Sequence, residues 1–167
     1  MATTSQRNHL AALMDYMHAH ADQLDYPPGD QRNFRDWSSW GMTEQTVEYV
    51  LKGGGRWQGD CSEYCSWLLK CAGLWKCSSP GYTGSHLELL TQHYTDGKLA
   101  LTGALVIFGH GTGHHEAMVR TPDPARGNPM LSSHGHPGLD VIRLEDEAAR
   151  QAALGYPGVT FLSIAHL

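Results

Sequence analysis

The chain has 167 residues, with 12 Lys+Arg, 17 Asp+Glu and 11 His, and a net charge of −5 with histidine neutral. That balance excludes a nucleic-acid binder working through a basic patch. The 17% charged and 41% hydrophobic residues exclude a disordered chain, and no apolar run approaches the ~20 residues of a membrane-spanning helix.

From the N-terminus, Thr3, Thr4 or Ser5 caps a first helix whose stripe is Leu10, Leu13, Met14 and Met17, at spacings of three and four. The residues from Met1 to His9 lack the apolar segment of a signal peptide, so synthesis in the cytoplasm without a leader is expected. Asp25 to Asp30 reads as a loop and Thr43 to Val50 as a short helix, closed by the flexible run Lys52 to Gly59. Asp60-Cys61-Ser62-Glu63 has the spacing of a capping box. Cys61, Tyr64, Cys65, Leu68, Leu69 and Ala72 then follow at helical spacing, with Gly73 as C-terminal cap. A helix over 61–72 is predicted, with Cys61 in its first turn. Strands are predicted over 103–109, 115–120, 130–134, 141–144 and 159–165, with a short helix near 145–154. Helices first and consecutive strands after them define an α+β class with an antiparallel sheet, in one domain: a helical region over 1–44 and a core over 45–167.

The four cysteines, Cys61, Cys65, Cys71 and Cys77, match no CxxC zinc spacing and are read as reduced thiols. Three elements together suit thiol chemistry: a cysteine at a helix start, a histidine opening a strand, and a polar residue on the next strand. A helix N-terminus favours a thiolate, an imidazole moves its proton, and a third polar group holds the imidazole's tautomer.

The segment Asp60 to Leu74 resembles the nucleophile helix of the NlpC/P60 cysteine peptidases, with its Asp-Cys-Ser start and Ala-Gly-Leu end. Gly103 to Gly109 resembles that family's Gly-Asp-Leu-Val-Phe-Phe strand, with Ala104 in place of the acid. His115 to Val119 is similar to its His-Val-Gly-Ile-Tyr strand, with Glu116 at an ordinarily apolar place. More narrowly, the layout of Asp60-Cys61-Ser62, Gly81-Tyr82-Thr83-Gly84 and Ser133-His134-Gly135 resembles the peptidase domains of actinobacteriophage lysins. The resemblance implies a papain-like fold and a monomeric hydrolase of peptidoglycan stem peptides, acting on the cell wall after release or as part of a virion, with no cofactor, nucleic acid or membrane insertion. The γ-D-glutamyl–diaminopimelate bond is the family's common target, and D-Ala cross-links and the muramoyl amide are also open. It implies Cys61 as nucleophile and His115 as base. His134 is the favoured third residue, since its imidazole can orient His115, with Ser132 and His136 as alternatives. Tyr49, before a Gly-Gly pair, is expected at the oxyanion site, Asp60 beside the nucleophile, and Trp57 against substrate.

Two other classes remain open. His110, His114, His115, His134 and His136 could together ligate zinc in a hydrolase, and the chain could be a non-catalytic tail or wall-binding module.

Overall fold

In a computed structural model, residues 2–26, 38–90, 92–135 and 138–164 are described. The N-terminal helix α1 (Thr4–Ala19) is closed by a capping box between Thr3 and Gln6, and it buries the Leu10, Leu13, Met14 and Met17 stripe. A two-residue strand β1 (Leu24–Asp25) follows, then helices α2 (Ser38–Gly41) and α3 (Glu44–Lys52). Strand β2 (Trp57–Gln58) pairs in parallel with β1, Leu24 opposite Trp57 and Asp25 opposite Gln58.

Helix α4 (Cys61–Cys71) is buried on nearly every side along 61–69, as expected of the central helix of an α+β core. Gly73, at φ +70°, ends it. Gly73 N–H donates to Lys70 C=O and Leu74 N–H to Leu69 C=O, the two bonds that close a helix through a left-handed glycine. Next come helix α5 (Thr83–Leu89) and strand β3 (His93–Tyr94).

The remaining elements are β4 (Leu105–Phe108), β5 (His115–Thr121), β6 (Met130–His134), β7 (Leu139–Arg143), α6 (Leu144–Ala153) and β8 (Val159–Leu162). The six-stranded sheet runs β3-β8-β4-β5-β6-β7, every pairing antiparallel. The predicted α+β class with an antiparallel sheet is therefore present.

Both faces of the sheet are covered. Leu105, Ile107, Met118 and Leu162 pack with α1 and α4 on one side. Val106, Phe108, Ala117, Val119, Leu131 and Phe161 pack on the other, where Leu144 and Ala148 of α6 lie. This double burial makes β4 a continuous apolar run rather than an alternating one. It also means that adjacent residues on β5 or β6 belong to different cores.

Candidate active site

Cys61 begins α4. The Asp60 carboxylate accepts from Glu63 N–H at 2.8 Å and from Ser62 O–H at 2.8 Å, so Asp60 is the helix cap. The thiol is almost fully buried. Tyr26 O–H donates to Sγ at 3.8 Å, and the main-chain N–H of Glu116 on β5 also lies on the sulfur. Burial pushes the thiol up from its usual range, and the neighbouring Asp60 and Glu116 carboxylates push the same way, so the resting group is a neutral S–H. Tyr26 reaches Cys61 because it follows β1 directly, and the β1–β2 ladder ends beside Gly59, whose N–H donates to Asp25 C=O at 3.3 Å. Arg56 fixes this corner with a two-pronged contact to Asp25, Nε–Oδ2 and Nη2–Oδ1 both 2.6 Å.

His134 is an imidazole on the same side of the sheet. Ala117 pairs with Ser133, so continuation of the register sets Glu116 against His134. Cys65 on α4 donates to the Glu116 carboxylate, which identifies this face as the one α4 covers. The His134 ring packs edge-on against Tyr26, at 5.3 Å between centroids, and Trp57, at 5.6 Å, and lies against Tyr64 at 5.5 Å. Its Nε2 stands 3.0 Å from Gly59 C=O and 3.4 Å from Asp25 C=O. Carbonyl oxygens only accept, so Nε2 carries the proton and Nδ1 the lone pair. Nδ1 is buried and has no hydrogen-bond partner. Burial pushes His134 down to about 4 despite those carbonyls and the nearby Asp60, so this ring is neutral near pH 7.

His115 does not pair with Cys61. Consecutive side chains on a strand leave opposite faces, and His115 shares its face with its partner Phe108, on which it stacks at 5.9 Å. Its Nε2 lies 2.8 Å from Ser133 Oγ and 3.4 Å from Glu147 Oε1 of α6. Burial and the adjacent Arg150 push His115 down to about 3. This outweighs Glu147, whose carboxylate is already held by Arg150 and by Gln151 Nε2. The residue orienting His115 is thus Ser133, not His134 or Ser132, which lie one position out of phase. Ser132 instead contacts Tyr64 Oη at 2.8 Å and His18 Nε2 at 3.1 Å. The third alternative, His136, lies outside the described residues.

The other expected site residues also move. Tyr49 is 80% exposed on α3 and takes no part in the surroundings of Cys61, where the tyrosine is Tyr26. Trp57 is fully buried against Tyr64 and Trp67, a core residue rather than a substrate platform. His110 is exposed on the turn after β4, and His114 stacks on Tyr156 at 3.3 Å. With His115 and His134 on opposite faces, these histidines do not converge. Among the described residues no three His, Cys, Asp or Glu side chains could hold a metal ion together. All four cysteines are free thiols.

Two features escaped the sequence reading. Tyr26 sat in a stretch read only as loop. The buried set of Ser66, His86 and Glu116 had one faint signal, the acid inside an otherwise apolar strand. Compared with protein-family models, curated proteins and solved structures, the chain matches none.

Proposed function

We propose that the chain is a cysteine-dependent amide hydrolase acting on peptidoglycan stem peptides, of the papain-like NlpC/P60 type that its nucleophile segment resembles. One observation carries this reading: a capped helix-terminal thiol shares a sheet face with an imidazole whose tautomer leaves a buried, unpartnered Nδ1. Neutral His134 takes the Cys61 proton at Nδ1 as Sγ attacks the scissile carbonyl carbon. The Cys61 main-chain N–H, in the first turn and without an intrahelical acceptor, holds the oxyanion with the Tyr26 hydroxyl. The protonated imidazole then gives its proton to the leaving amine. Water, deprotonated by the same nitrogen, releases the acyl group from sulfur. Gly59 C=O keeps Nε2 protonated throughout, the task that a polar side chain performs in other triads. Acting on the wall, the chain would work after release from the cytoplasm or as part of a virion.

The test is turbidity loss of a peptidoglycan suspension, with mass spectrometry of the released muropeptides. Cys61→Ala should abolish release and iodoacetamide should inactivate the wild type. Full activity of Cys61→Ala, or activity lost to a chelator but indifferent to iodoacetamide, would sink the reading.

A further inference from the structure

Beside Cys61 runs a chain of polar side chains with no access to solvent. Glu116, His86 and Ser66 are each 0% exposed. His86 Nδ1 lies 2.7 and 2.8 Å from the two Glu116 oxygens, and His86 Nε2 lies 2.9 Å from Ser66 Oγ, which accepts Gly81 N–H at 3.0 Å. The approach at Gly81 is so close that a Cβ there would stand 2.1 Å from His86 Nε2. The order serine, histidine, acid is that of a hydrolytic triad, but no substrate reaches Ser66. What the chain does reach is the thiol. Glu116 gives its N–H to Cys61 Sγ, its carboxylate accepts Cys65 S–H, and Cys65 and Ser66 lie one turn along α4 from the nucleophile. The β5–β6 ladder ends at the Ala117–Ser133 pair, next to Glu116.

Building on the reading of Cys61 as nucleophile, we infer that Glu116 is a positioning residue for its thiol. The Glu116 carboxylate, tied through His86 to Ser66 of α4, holds its own N–H against Sγ. It also keeps a buried negative charge beside the sulfur, which opposes thiolate formation. Like charges inside a low-dielectric core couple strongly, and an apolar trio would fasten α4 to β5 without desolvating a charge. The groups facing Cys61 are Asp60 from its cap, Tyr26 from the end of β1, Cys65 from the next turn and Glu116 from β5; His134 lies on the same side of the sheet, on β6. Those facing Glu116 are His86 from α5, Cys65 from α4 and, through space, Asp60.

The pH dependence of Cys61 alkylation by iodoacetamide tests this, read on the mass of the Cys61 peptide so that exposed Cys77 does not contribute. Glu116→Gln keeps the shape and the N–H but not the charge. Its alkylation midpoint should move to lower pH by about half a unit, an increase in rate of about three-fold near neutrality. Glu116→Asp should bring the midpoint back toward wild type. A folded Glu116→Gln variant with an unchanged or raised midpoint overturns the inference. Should that variant fail to fold, 13C NMR of the unaltered chain decides. The Glu116 carboxyl resonance should move over the pH interval in which Cys61 becomes reactive, and a resonance flat across it overturns the inference. Alkylation needs no substrate, so the two readings fail separately. A shifted midpoint without wall cleavage removes the peptidase and keeps the positioning role; cleavage without a shift does the reverse.

Discussion

His115 and His134 are both buried imidazoles on neighbouring strands, and a single step of strand parity separates their roles. His134 lies on the sheet face that α4 covers, while His115 is held by Ser133 and Glu147 beneath α6. Their substitutions should therefore differ in kind. His134→Gln should lower kcat/KM on a defined muropeptide by about 10²–10⁴, the usual worth of a proton-transfer residue. His115→Gln should keep turnover within a small factor and instead cost about 1–3 kcal/mol of stability, because its buried neighbours lose a partner. Steady-state rates with urea melts on both proteins check this, and a folded His115→Gln without turnover would return the base to His115. The place of Cys61 at the start of a helix was legible in the sequence. The parity was not, because only the covering helix tells which face of β5 and β6 is which.

At the scale of elements, α4 was readable nearly to the residue because its signals are local: an acid cap at Asp60, helical spacing, and Gly73 where a left-handed residue closes the turn. The β1–β2 pair was invisible for the opposite reason. It is two residues long and joins positions 24 and 57, so neither strand carries a pattern of its own, and Tyr26, which it delivers, could not be placed. Asp60 does two things at the end of α4: it caps the backbone and it sets a negative charge beside the thiol. Asp60→Asn keeps the acceptor and should leave thermal stability close to wild type. Asp60→Ala should lose about 1 kcal/mol, roughly 2–4 °C in Tm for a chain of this size. Calorimetry of the two variants separates these effects, and equal losses in both would mean that the charge rather than the cap holds the helix start.

Over the whole molecule, folding sorts the described histidines. His86, His115 and His134 are taken into the core, and His110 stays on the surface. Among the described residues no cluster of side chains that could hold a metal ion forms. The buried imidazoles have a consequence for acid stability. His115 and His134 are held near 3 and 4, below the 6.5 of an exposed imidazole, chiefly by desolvation. Between those values and 6.5 the unfolded chain binds protons that the folded chain refuses. Their contribution is fully present above pH 6.5 and is lost as pH falls through 4 and then 3, at about 1.4 kcal/mol per pH unit for each ring. Asp25, held low by Arg56, adds to the loss as pH falls. Glu116, raised by burial, works the other way over a window above 4.5, where the folded chain keeps a proton that the unfolded chain gives up. With two imidazoles against one carboxyl, the net slope is toward lower stability in acid. Urea midpoints should fall steadily from pH 7 to 4.5, and His115→Gln should flatten that fall by about half even as it lowers the midpoint at pH 7. A wild-type midpoint constant over this range would mean that neither imidazole is held neutral in the fold.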